Sequence, residues 1–141
     1  MEDVAATGVA MPVVLCGTDT VKRDRLAIRG LGLAMGWVDE MDRLLRASDV
    51  VVQNAGGLTS LEALASGVPV VSYRCVSGHG ITNAAALDRA GYAPWVRHRE
   101  ALGPALRAAM QRPAPRLLGE IDPVDVISAY LDLRESLPVA S

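Results

Sequence analysis

Short apolar runs alternate with segments of helical periodicity along this chain, and no tight hairpin turn joins two of the runs. The apolar runs occupy residues 12–17, 31–38, 49–53, 68–73 and 92–96. Strands separated by helices run parallel, because each helix carries the chain back to the edge where the previous strand began. The alternation therefore predicts an α/β fold, a Rossmann-like parallel sheet flanked by helices on both faces.

Helices are expected between and after these strands. The predicted helices cover residues 1–9 in part, 21–28, 41–47, 58–66, 83–90, 100–111 and 122–133. We expect Thr18 or Thr20 to cap the helix at 21–28, and Asp39 to cap the helix at 41–47. The helix at 58–66 is expected to bury one apolar face, formed by Leu58, Leu61, Leu64 and Ala65.

Length and composition limit the function classes. A chain of 141 residues is the size of one domain, so we take residues 1–141 as a single domain with a core at about 12–112. The 50% hydrophobic content excludes a disordered chain, and the net charge of -2 gives no basis for nucleic-acid binding. Cys16 and Cys75 lack CxxC spacing and a His cluster, so we expect no metal site. With no signal peptide and no apolar run of roughly 18–20 residues, a cytoplasmic location is expected.

The loop after the third strand is the most informative candidate site. Asn54-Ala55-Gly56-Gly57 leads directly into a helix that begins near Leu58. Paired glycines let a backbone approach a ligand, and the free N–H groups of a helix start suit a phosphate. Thr59 can add a hydroxyl, and the Glu62 carboxylate can accept hydrogen bonds from two sugar hydroxyls. The competing interpretation is a glycine turn followed by a capping box from Thr59 to Glu62.

The order of motifs along the chain is more specific than this loop. It runs Cys16-Gly17, Gly36-Trp37-Val38-Asp39-Glu40-Met41, Asp49-Val50-Val51-Val52, Gly56-Gly57-Leu58-Thr59, Glu62-Ala63-Leu64, Gly67-Val68-Pro69-Val70-Val71 and Asn83-Ala84. This order resembles the donor-binding half of GT-B glycosyltransferases. The branch is that of the lipid-linked N-acetylglucosaminyltransferase of peptidoglycan synthesis and the diacylglycerol galactosyltransferases. The resemblance implies half of a GT-B fold, lacking its first strand.

The resemblance also implies roles for individual residues. Trp37 and Val38 would border the base of a UDP-sugar, with Met41 packed beside it, and Glu62 would bind the ribose. The diphosphate would lie against Gly56, Gly57, Leu58 and Thr59. Further candidates at the carboxyl ends of the strands are Gly17, Asn54, Gly78, His79 and Asn83. No residue of this chain is assigned as catalytic, and the donor requires no metal and no further cofactor.

One loop departs from the family pattern. Many relatives carry Pro-Gly-Gln-Glu before the Asn-Ala pair, whereas this chain has Ser77-Gly78-His79-Gly80. The Gln and Glu that would contact the donor sugar are therefore His79 and Gly80. His79 is expected to donate to a sugar hydroxyl or, when protonated, to phosphate.

The resemblance covers the donor side of a larger enzyme. It implies transfer of a hexose or N-acetylhexosamine to an acceptor, with a lipid-linked acceptor as one option. The acceptor would be held by an amino-terminal domain or a separate subunit, which would place the protein at the inner membrane face. The isolated chain is expected to be inactive. Two alternatives remain open: a non-catalytic interaction domain of the same fold, and part of a UDP-sugar 2-epimerase.

Overall fold

Strands and helices alternate throughout the computed structural model, which describes residues 1–115. The five strands are β1 (Val13–Leu15), β2 (Leu33–Met35), β3 (Val51–Gln53), β4 (Val70–Tyr73) and β5 (Trp95–Val96). The six helices are α1 (Glu2–Ala6), α2 (Thr20–Ile28), α3 (Met41–Arg46), α4 (Leu58–Ala65), α5 (His79–Arg89) and α6 (Leu102–Met110), the last preceded by a 3₁₀ turn at Arg99–Ala101. The predicted α/β order is confirmed. The helix predicted at 122–133 lies outside the described residues.

All the strand pairs are parallel, as predicted. β1 pairs with β2, with Val14 opposite Ala34. β4 lies between β3 and β5, with Gln53 opposite Ser72 and Tyr73 opposite Val96. All four residues of β4 are buried, which is the pattern of a central strand covered on both faces.

The strands form two sheets rather than one. One contains β1 and β2, the other β3, β4 and β5, and no ladder joins β1 to β3 within residues 1–115. Val13 is 42% exposed and Leu33 50% exposed, so the smaller sheet contributes little to the core.

Two hydrophobic clusters cover opposite faces of the larger sheet. Val70 points into one cluster, which contains Leu45, Ala63, Leu64, Val68 and Ala93. Val71 and Tyr73 point into the other, together with Val96, Leu102 and Leu106. The alternation of successive side chains along β4 therefore divides the core between α3 and α4 on one face and α6 on the other.

Two caps and one helix face differ from the prediction. The N-cap of α2 is Asp19, whose carboxylate accepts from the Lys22 N–H at 2.9 Å, rather than Thr18 or Thr20. Glu40, without a side-chain cap bond, precedes α3, because the Asp39 carboxylate accepts the Trp37 indole N–H instead. In α4 the buried residues are Ser60, Ala63 and Leu64, whereas Leu58, Leu61 and Ala65 of the predicted apolar face are exposed.

α1 is fastened to the carboxyl end of β4. The Tyr73 hydroxyl donates to Asp3 Oδ2 at 3.0 Å. The same carboxylate pairs with Arg74 Nε at 3.2 Å and Arg99 Nε at 3.3 Å. Val4, which follows Asp3 in α1, packs on the cluster that contains Tyr73. Within residues 1–115, no helix combines the length and the apolar character needed to cross a bilayer.

Candidate functional site

The turn between β3 and α4 has the conformation that its two glycines predicted. Gly56 has φ +70° and Gly57 has φ +89°, both in the region that favours glycine. Gly57 is the N-cap of α4, and no side chain caps the helix. The capping box from Thr59 to Glu62 is therefore not formed, and the helix start is open.

The open start leaves backbone donors available. The carbonyl of Gly57 accepts the N–H groups of Ser60 at 3.1 Å and Leu61 at 3.3 Å. The N–H groups of Leu58 and Thr59 precede these, and neither has a partner among the described residues. Leu58 is 70% exposed and Thr59 is also exposed, so an anion can reach both amides. The positive end of the helix dipole lies at the same place.

Glu62 lies one turn further along α4. Its side chain is exposed and makes no hydrogen bond or ion pair within the described part of the chain. The carboxylate is therefore available to accept hydrogen bonds from a bound diol. Asn54, at the start of the turn, is also exposed, and its backbone carbonyl accepts the Val76 N–H at 2.8 Å.

The helix after β4 begins earlier than predicted. α5 starts at His79 rather than Asn83, so His79 lies in a first helical turn and not in a loop. Gly78, with φ +82°, is its N-cap, and again no side chain caps the helix. Gly78 therefore begins a helix rather than continuing a loop. The exposed imidazole stands at the open helix start.

The starts of α4 and α5 are packed against one another. Asn83 Nδ2 donates to the Ala55 carbonyl at 3.4 Å. A Cβ on Gly56 would lie 2.6 Å from Asn83 Cβ, and a Cβ on Gly80 would lie 2.9 Å from the Asn54 carbonyl oxygen. Both glycines are thus required by close approach. Gly80 is buried, and a larger side chain at this position would require the 54–57 turn to move.

A cavity of about 670 Å³ lies at the carboxyl end of β2. Its lining consists of Met35, Trp37, Val38, Asp39, Glu40, Arg43 and Leu44. Trp37 is 71% exposed, and its indole N–H donates to Asp39 Oδ1 at 2.8 Å. The indole ring therefore offers its face to a ligand, while its donor is already used.

Two further candidates lie near this cavity but outside its lining. Met41 packs against the core cluster of Leu45 and Leu64 instead of facing the cavity. The same cluster joins the end of α3 to the second half of α4. Gly17, with φ +57°, follows β1, and its carbonyl oxygen would be 3.6 Å from a Cβ on Gly36. The turns after β1 and β2 are therefore adjacent.

Sequence patterns missed one residue of this region. The sequence predicts Gln53 only as the end of a strand, but its side chain reaches into the turn and accepts the Gly56 N–H. The polar residue at the end of a Val run, directly before paired glycines, was the available signal. Cys75 is half-buried, and burial raises the pKa of its thiol, which keeps it protonated and a poor nucleophile.

Comparison with known proteins identifies the family. Residues 2–111 match the family described as "Glycosyl transferases group 1". The chain belongs to this family. The glycosyl transferase segment covers every described strand and helix and includes all thirteen candidate residues.

Curated relatives of this glycosyl transferase are named processive diacylglycerol beta-glucosyltransferase. The Bacillus subtilis (strain 168) protein is 38% identical over 96 residues, which cover 64% of this chain and 25% of the relative. The Bacillus licheniformis protein is 36% identical over 96 residues, with the same two shares. The Bacillus pumilus protein is 39% identical over 67 residues, covering 48% of this chain and 18% of the relative. The matched part of the chain thus spans about a quarter of the first two relatives. The predicted relationship to diacylglycerol glycosyltransferases is confirmed, although these relatives are named for glucose and not for galactose.

Proposed function

We propose that this chain is the donor-binding part of a UDP-sugar-dependent glycosyltransferase. The observation that carries the proposal is the open start of α4, with the free amides of Leu58 and Thr59 at the carboxyl edge of the sheet. A diphosphate would accept hydrogen bonds from these amides and lie at the positive end of the helix dipole.

The rest of a nucleotide would extend from this anchor toward Trp37. The uracil would lie in the cavity against the indole face and the Val38 backbone, and Glu62 would accept hydrogen bonds from the ribose hydroxyls. His79, at the second open helix start, would face the sugar or the second phosphate. During transfer, the α4 amides would stabilise the charge that develops on the departing UDP.

The acceptor belongs to a part of the enzyme beyond these residues. The names of the relatives support a lipid acceptor and a hexose donor, since they describe diacylglycerol glucosyltransferases. The attacking acceptor hydroxyl would displace UDP at the anomeric carbon and lose its proton to a base in the acceptor-binding domain or subunit. This arrangement would bring the donor site to a membrane surface.

Titration with UDP tests the proposal. UDP and ADP are added to the ¹⁵N-labelled chain, and the amide shifts of Leu58 and Thr59 are followed up to millimolar nucleotide. We expect UDP to bind more tightly than ADP. Glu62→Ala is expected to weaken UDP binding by about fivefold to tenfold, the cost of losing one charged hydrogen-bond acceptor. Glu100→Ala, an exposed carboxylate outside the site, is the matched control.

A non-catalytic interaction domain is the second candidate function. The packing of Gly80 favours it, because the carboxylate that many family members carry at this position has no room here. The same titration separates the two functions. If millimolar UDP leaves the Leu58 and Thr59 amides unchanged, the donor-binding proposal is wrong and the interaction domain is favoured.

A further inference from the structure

Gln53 uses both ends of its carboxamide at the junction of β3 and the glycine turn. Its Nε2 donates to Ser72 Oγ at 2.5 Å, and its Oε1 accepts the Gly56 N–H. Gln53 is only 7% exposed, and Ser72 is fully buried opposite it on β4. A buried amide whose two ends are both bonded has one fixed orientation.

This orientation determines the path of the chain into α4. Gly56 and Gly57 both have positive φ, a combination with many alternatives because glycine is conformationally permissive. The bond from Gln53 directs the Gly56 N–H inward to the sheet. The amides that follow, those of Leu58 and Thr59, are then left for a ligand.

Gln53 connects this turn to the rigid part of the sheet. Ser72 lies on the central strand β4 and belongs to neither helix start. An apolar residue of similar size at position 53 would leave the Gly56 N–H and the Ser72 hydroxyl without these partners. The turn would then be held by the bond from the Val76 N–H to the Asn54 carbonyl and by its contact with Asn83 on α5.

We infer that Gln53 is a positioning residue, which orients the turn so that the amides of Leu58 and Thr59 converge on a diphosphate. The inference rests on the proposed function, because it explains how the amides of the same site are oriented. Gln53 itself does not touch the nucleotide. Its loss should therefore weaken binding of the diphosphate and not binding of the nucleoside.

The test compares UDP with uridine on Gln53→Leu and on the unsubstituted chain. Both ligands are titrated by ¹⁵N NMR, and exchange of the Gly56 amide with solvent is measured alongside. We expect Gln53→Leu to bind UDP about tenfold more weakly, to bind uridine unchanged, and to exchange the Gly56 amide faster. Gln111→Leu, the same substitution at an exposed position at the end of α6, is the matched control.

The outcomes separate this inference from the function on which it rests. Failure of the unsubstituted chain to bind UDP overturns the proposed function and the inference together. Normal UDP binding by both chains overturns the positioning role alone, as does an equal loss of UDP and uridine binding. Should Gln53→Leu not fold, Ser72→Ala removes the anchor of the amide and keeps the acceptor for Gly56. It is expected to weaken UDP about threefold, and unchanged affinity overturns the inference.

Discussion

Single residues of the proposed nucleotide site differ in how far the sequence could predict them. Thr59 and Glu62 follow a glycine pair at the start of a helix, and the structure leaves both side chains exposed there. The orientation of Met41 toward the core depends on the angle at which α3 packs on α4, which helical spacing does not determine. The bond from Gln53 depends on the register with Ser72, which exists only once β3 and β4 are paired.

Tyr73 is expected to make the free energy of unfolding of this chain fall as the pH becomes alkaline. Burial, and next the hydrogen bond to Asp3, raise the pKa of this phenol above its ordinary value of 10.0. Between the ordinary and the raised pKa, the unfolded chain has released the proton that the folded chain retains. Raising the pH through this window therefore favours unfolding, and below it the stabilisation is complete.

We expect Tyr73→Phe to remove this part of the pH dependence. Urea unfolding is measured from about pH 8 to about pH 11, a range that spans the ordinary tyrosine pKa. The free energy of unfolding of the unsubstituted chain should fall more steeply toward the alkaline end than that of the variant. Tyr92→Phe serves as the control, since this half-buried residue does not contact Asp3. Identical pH slopes for Tyr73→Phe and the unsubstituted chain would contradict the expectation.

At the level of elements, the order and type of helices and strands followed from the alternation of patterns, but their starts did not. Asp39 is a good capping residue, yet its carboxylate bonds to Trp37 two residues before it. α5 begins at His79 because Gly78 adopts a left-handed conformation that a flexible loop would also use. In both cases the sequence allows two local conformations, and it does not determine which of them is the more stable.

The packing of the two helix starts can be tested by comparing two glycines. Gly56 and Gly67 both have positive φ, but a Cβ on Gly67 meets no atom within 4 Å, whereas one on Gly56 meets Asn83. Alanine at either position should cost about 1–2 kcal/mol through backbone strain. Gly56→Ala should cost about 1–3 kcal/mol more because Asn83 must move. Urea unfolding measures the difference in the free energy of unfolding. Equal destabilisation by the two substitutions would show that Asn83 can move away from position 56 without loss of stability.

Residues 1–115 form a parallel α/β domain with a break in its sheet. The alternating pattern predicted the parallel strands. The pattern could not show that β1 and β3 would remain unpaired within the described residues. Pairing depends on which strands are neighbours in space, and side-chain periodicity contains no information about that.

The expectation that the 141-residue chain alone is inactive can be tested by a turnover assay. We expect the 141-residue chain, mixed with UDP-glucose and diacylglycerol vesicles, to release no UDP above the rate of a vesicle-free control. The reason is that binding of the donor lowers no barrier without an oriented acceptor and its base. Release of UDP that depends on diacylglycerol would contradict this expectation.

The close contact at Gly80 couples α5 to the turn that precedes α4. Any side chain at position 80 first meets the Asn54 carbonyl and the Val76 side chain. A mutation to Glu is therefore unfavourable until a change elsewhere has moved the 54–57 turn. A shift of that turn would also move the start of α4, so a side chain at position 80 is expected to alter the proposed diphosphate site even though Gly80 lies on α5.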